Sequence, residues 1–170
     1  MALQSKVYTK LAAAVPGQVE VGNQAKYSPV AYKVKNSDTV SVTVGHGVFL
    51  SADDATSCAP AGSQFLGFVP LLRCYSNPGF GATLAIPNNE YVTPLTQGAI
   101  AVVNAGTTAA TVGMNVFVST TDGSVQFASA ATLEGHTPTN FVVVRLLGDG
   151  AKDSLVIIDN QTAVNYPTAA

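Results

Sequence analysis

At 170 residues, 47% of them hydrophobic, the chain is long enough to form one domain with its own core. Only 11% of its residues are charged, against about 25% in an ordinary soluble domain. The net charge of −2 comes with no basic stripe, which argues against nucleic-acid binding, and no apolar run approaches the ~20 residues of a membrane-spanning helix.

Residues 1–28 show no hydrophobic period and read as an extended arm. Leu3, Val7, Tyr8 and Leu11 are its apolar points and need a surface to lie on; the alternative is a disordered terminus. Lys6 and Lys10 precede an apolar run at 11–15 that is too short for a signal-peptide core, so no export signal is read. Pro16-Gly17 marks a turn.

Residues 29–160 read as the β domain. Tyr32 and Val34, then Val40, Val42 and Val44, alternate with polar residues. They predict two half-buried strands joined by a turn at 36–39. Gly45 and Gly47 around His46 predict a bulge or bend. Residues 51–63 read as a loop. Residues 64–69 predict a strand, continued at 71–75 past Pro70, which marks an edge or bulge. Residues 77–81 and 87–89 are turn clusters.

Residues 99–103 predict a short strand. Residues 116–120 and 125–127 predict a hairpin around Asp122-Gly123, a pair that favours a two-residue type I′ turn. That register pairs Thr120 with Val125 and Val118 with Phe127. It places Val116, Val118, Val125 and Phe127 on one face. Residues 141–147 and 155–158 are nearly continuous apolar runs, so both predict strands covered on both faces. Residues 161–170 form a small, polar C-terminal tail. The sum is an all-β fold: a small antiparallel β-barrel or sandwich with an extended N-terminal arm and long loops.

Chemistry is sparse. His46 and His136 stand alone, whereas a catalytic imidazole needs an orienting partner; Asp53 and Asp54 are near His46 in sequence but fall in a loop. Asp38, Asp122, Asp149 and Asp153 sit in turn contexts, where Asp bonds nearby amides. No phosphate-binding glycine pattern or nucleophile elbow appears. The absence of tryptophan weakens a sugar- or base-stacking site. Cys58 and Cys74 lack zinc-ligand spacing and read as free thiols, with a bridge between them left open. No catalytic, metal or cofactor site is therefore expected.

A surface short of charge must be covered by Thr, Ser, Asn, Gly and Ala, which cost little to desolvate, and interface cores are likewise depleted of charge. The composition thus favours self-association and docking to a larger assembly. The other reading is a small β protein with a bland polar surface.

The order of segments resembles the capsid cement, or decoration, proteins of tailed bacteriophages. The resemblance lies in the small-residue stretch at 12–17, Val-Ser-Val-Thr-Val-Gly at 40–45, Phe-Leu-Gly-Phe at 65–68, and Gly-Ala-Ile-Ala-Val-Val at 98–103. Val-Gly-Met-Asn-Val-Phe-Val at 112–118 and Asp-Gly-Ser-Val-Gln-Phe at 122–127 complete it. Residues 51–63 and 70–90 match nothing in that pattern. The resemblance implies a non-enzymatic protein without cofactor, made in the host cytoplasm. It implies a place on the capsid exterior, a homotrimer, and the major capsid protein as partner, with neighbouring subunits bridged. The arm residues Leu3, Val7, Tyr8 and Leu11 are then the expected capsid or oligomer contacts. The alternative is a carbohydrate- or receptor-binding β domain on a virion surface.

Overall fold

The computed structural model describes residues 14–20, 25–71 and 84–160. Every regular element among them is a β-strand, as the short alternating segments predict. In chain order these are β1 (Lys26–Tyr27), β2 (Tyr32–Val34), β3 (Gly47–Leu50), β4 (Ser57–Ala59), β5 (Phe65–Phe68) and β6 (Tyr91–Val92). They continue with β7 (Leu95–Gln97), β8 (Ile100–Val103), β9 (Asn115–Ser119), β10 (Val125–Ala128), β11 (His136–Leu146) and β12 (Leu155–Asp159). They form two sheets, of order β1-β7-β5-β3-β4-β2-β6 and β10-β9-β11-β12-β8.

Both sheets curl. In the seven-stranded sheet the two ends are one covalent ribbon. β6 runs into β7 through Thr93-Pro94, and β1 runs towards β2, with Ser28 N–H donating to Pro94 O at 2.8 Å between the two ladders. In the five-stranded sheet, Asn104 at the end of β8 bridges Val125 on β10, and Ala105 N–H donates to Val125 O at 2.8 Å. Curling pairs backbone groups that a flat sheet would leave open at its edges.

The main core lies between the sheets. Phe49, Phe68 and Leu95 pack there on Ile100, Val102, Val116, Val118, Val125, Phe127, Phe141, Val143, Val156 and Ile158. Phe65 meets Phe68 edge-on at 5.3 Å between ring centroids, and Phe68 meets Phe141 at 4.9 Å. Such contacts add about 1 kcal/mol each beyond burial, and each buried Phe contributes about 2–3 kcal/mol. A second cluster of Val34, Val42, Val44, Val48, Cys58, Val69, Ile86 and Val92 fills the seven-stranded sheet's own curl.

Several sequence expectations need correction. Val42 and Val44 are buried as their alternation predicts, but residues 40–44 form no strand with β2. The side chain of Asn36 intercepts them: its Oδ1 accepts from Val42 N–H at 2.7 Å and its Nδ2 donates to Ile86 O at 2.8 Å. Ile86 N–H then donates to Val42 O, and Val44 N–H to Leu84 O. β2 instead lies parallel to β4 and antiparallel to β6, so the fold is not wholly antiparallel. β4, β6 and β7 are strands that the small polar loop segments conceal. The continuation at 71–75, the turn at 77–81 and Cys74 lie outside the described residues except for Leu71. Cys58 is a buried free thiol, its pKa raised to about 11 by burial.

The β9–β10 hairpin forms with its faces as expected but with a different register. Val125 pairs with Val118, and Phe127 with Val116. An even shift keeps all four side chains in the core. Asp122 causes it: the carboxylate accepts from Ser124 N–H at 3.0 Å and Ser124 Oγ at 2.7 Å, and Gly123 N–H closes back on Ser119 O. The loop therefore spans 120–123 rather than two residues. β11 and β12 pair as predicted, with a bulge at Val144. β11 extends back to His136 and alternates between buried and partly exposed residues, so only β12 is covered on both faces.

Candidate interaction surface

Charge is divided unevenly over this body. From Tyr91 to Val144 the sequence carries no Lys or Arg, and Asp122 and Glu134 are its only acids. That stretch supplies β8, β9, β10 and most of β11. Exposed charge lies instead on the seven-stranded sheet and its loops, at Lys26, Lys33, Lys35, Asp38, Asp53 and Glu90, and around the β11–β12 turn, at Arg145, Asp149, Lys152 and Asp153. Lys35 Nζ pairs with Asp53 Oδ2 at 3.0 Å on that exposed side.

Two loops of this stretch carry little charge, Glu134 being their one charged side chain; the first lies beside the charged β11–β12 turn with Asp149, Lys152 and Asp153. The loop at 105–113 exposes Thr107, Thr108, Ala109, Thr111 and Val112, the last 54% exposed. It is held by Asn104, which is wholly buried. Asn104 Oδ1 accepts from Gly106 N–H at 2.9 Å, and Nδ2 donates to Thr108 O at 2.8 Å and Gly150 O at 2.9 Å. Ala110 anchors the loop's middle in the main core and its N–H donates to Gly150 O. The second loop, 129–135, exposes Ser129, Ala130, Ala131, Thr132 and Glu134. Asn115 Nδ2 donates to Ala130 O at 3.1 Å, which sets the second loop beside the end of the first; Thr120 Oγ1 donates to Gly135 O at 2.9 Å. Loops tied at several backbone points lose little further entropy on docking. Their Thr, Ser and Ala side chains shed water at low cost.

The residues that sequence chemistry singled out do not converge on a catalytic centre. His46 sits half-buried at the junction of the sheets, where burial lowers its pKa; its Nδ1 lies 3.4 Å from the carbonyl of Asp122. Asp53 is paired with Lys35, and Asp54 accepts from Ser57 Oγ, Thr56 Oγ1 and Thr56 N–H, so neither serves His46. His136 Nδ1 faces the Glu134 carbonyl at 2.7 Å. Among the described residues no group of three or more His, Cys, Asp or Glu could hold a metal, and no helix is long and apolar enough to cross a membrane. Leu3, Val7, Tyr8 and Leu11 lie outside the described residues. The arm's root is described: residues 17–20 add to the free edge of β8. Gly17 N–H donates to Ala101 O, Ala101 N–H to Gln18 O and Glu20 N–H to Ala99 O, while Glu20 pairs with Arg145.

The family model described as structural cement protein (E217 gp24/Pam3 gp6), a phage cement family, matches residues 3–160. The chain belongs to the phage structural cement proteins. The match runs from within the arm to the end of β12, so it takes in both sheets and both charge-poor loops of this cement protein. A chain of the solved structure "The capsid of Myoviridae Phage XM1" is similar in fold, with a TM-score of 0.64 and 17% identity, covering 96% of this chain and 100% of that one. No curated protein matches the cement protein's sequence.

Sequence reading missed Asn104 as the loop anchor, because a lone Asn before Ala-Gly reads as a turn residue. It also took low charge as a property of the whole chain. The signal for a surface was the uninterrupted uncharged run from Tyr91 to Thr121.

Proposed function

We propose that this protein binds the outer surface of a viral capsid and cements neighbouring major capsid protein subunits, so that the shell resists internal pressure. The observation that carries this reading is the charge-poor, backbone-tied surface of loops 105–113 and 129–135, in a chain of the cement family. Such a surface suits a flat protein partner and a contact that varies little with salt. The body acts as a rigid clamp, with no reaction and no cofactor. Copies associate as a homotrimer, and a cyclic array allows several weak contacts to act together. The arm, through its distal apolar points Leu3, Val7 and Tyr8, extends the contact to an adjacent subunit. The protein is made in the host cytoplasm and ends on the capsid exterior.

The test is co-sedimentation with shells that lack the protein, comparing the full chain with a chain lacking residues 1–13. That truncation leaves the strap at 14–20 in place on β8. We expect the truncated protein to melt as a folded body and to occupy shells at well under the full-chain level. Equal occupancy by both would remove the arm from the mechanism, and no occupancy by either would remove the capsid. A glycan-binding domain would instead be retained on immobilised sugars.

A further inference from the structure

The five-stranded sheet has a second apolar patch on the face turned away from the main core. Ala99, Ala101 and Ile157 are buried there with Ala14, and Val144, Leu147 and Leu155 are partly buried against them. The patch crosses β8, β12 and β11, which are neighbours in that order. An apolar sheet face outside the core requires a cover.

The chain's own path says what that cover is. Residues 17–20 run along the edge of β8, and a turn with Gln18 N–H donating to Val15 O at 3.1 Å sends the preceding residue back. Gly17 makes this possible: its φ is +75°, and a Cβ there would stand 2.3 Å from Val44 Cγ1. The turn sets Ala14, 4% exposed, on top of the patch. The described chain therefore begins at Ala14, over β8 and β12. Leu11 is three residues upstream, a reach of roughly 10 Å for extended chain. β11 is one or two strand spacings away, about 5–10 Å. Val144 is on β11, and Leu147 directly follows it.

We propose that the arm is divided: Leu11 docks on its own sheet, against Val144, Leu147 and Leu155, while Leu3 and Val7 continue beyond the sheet edge. The occupant of the patch is the protein's own segment around residue 11, covering the half-buried aliphatic side chains that the strap leaves uncovered. This fixes where the arm leaves the body and leaves only its distal part for a partner. The inference goes beyond the capsid reading and is tested without a shell.

Lys6 and Lys10 supply the probe, because trypsin must unseat Leu11 to cut after Lys10 but not to cut after Lys6. Limited proteolysis of the full chain, followed by intact mass, should show cleavage after Lys10 about tenfold slower than after Lys6, the scale expected for one docked leucine. Leu11→Ser should abolish that difference, and Leu147→Ser should do the same. Leu11→Ser leaves every side chain of the main core in place, so it keeps the test valid if Leu147→Ser disturbs folding. Equal cleavage at both lysines in the unaltered protein would overturn the proposal, as would protection that survives Leu11→Ser. Protection that grows with protein concentration would assign the patch to a second copy's arm and would also overturn it.

Discussion

The amide of Gly47 donates to the carbonyl of Gly123 at 2.9 Å, and this single bond joins the start of β3 in one sheet to the β9–β10 loop of the other. The approach leaves no room for a side chain on either partner. A Cβ on Gly123 would stand 2.3 Å from Gly47 O, and one on Gly47 would stand 2.5 Å from Val118 Cγ1. Gly123 also has φ +71°, where a β-carbon is strained. Gly123→Ala should therefore lower stability by about 2–4 kcal/mol, combining left-handed strain with overpacking. Denaturant titration checks this, and a change under 1 kcal/mol would show that the two sheets can separate freely at this point.

Asn104 ties three backbone groups from a wholly buried position. Asn104→Ala leaves Thr108 O, Gly150 O and Gly106 N–H without that partner, at a cost of about 3 kcal/mol. Amide exchange should rise selectively in residues 105–110. A loss of stability without faster exchange there would place the effect elsewhere than in the loop.

Acid should weaken the fold in two steps. His46 has a pKa lowered by burial, so the folded state binds its proton less readily than the unfolded state does. Stability is then full above pH ~6.5 and falls as pH drops below that value. Asp54 is held at about 2, chiefly by the Ser57 hydroxyl, and Asp149 is lowered by the Ser154 hydroxyl. Burial pushes Asp122 up, but bonds from Ser119 and Ser124 outweigh it and leave its pKa lowered. These carboxylates contribute stability above the usual value of 3.8 that is lost as pH falls towards 2. His46→Gln should remove the first step and keep the second, as read by urea midpoints between pH 7 and pH 2. A midpoint that stays flat from pH 7 to pH 5 in the unaltered protein would contradict the burial of His46.

Much of the fold is legible in the sequence, and its gaps have identifiable causes. The faces of β9 and β10 follow from period-two alternation, which survives any even shift. Their register does not, because the side chain of Asp122 competes with a two-residue turn for the amide of Ser124. Val42 and Val44 advertise burial but not their partner, since Asn36, six residues before Val42, also bonds Ile86 fifty residues on, a pairing that no local pattern encodes. β4 is hidden because Ser57–Ala59 is small and polar and is held by long-range pairing with β2 and β3. The surface was legible as low charge, while the tying of its loops by Asn104 and Asn115 depends on tertiary contacts.

A charge placed on loop 105–113, which carries none, should separate binding from folding. Val112→Lys alters an exposed position, so stability should change by no more than about 0.5 kcal/mol. Capsid affinity should fall about tenfold or more, because an unpaired ammonium would be buried at the contact. Lys33→Glu on the other sheet serves as the control and should leave affinity unchanged. The reverse pattern in co-sedimentation would assign the contact to the seven-stranded sheet.

The most direct test is the rupture temperature of shells lacking the protein, measured as purified protein is added and its occupancy is counted. The account predicts saturable binding and a rupture temperature that climbs with occupancy. Saturable binding with an unchanged rupture temperature would contradict cementing, and would leave a protein that decorates the shell without strengthening it.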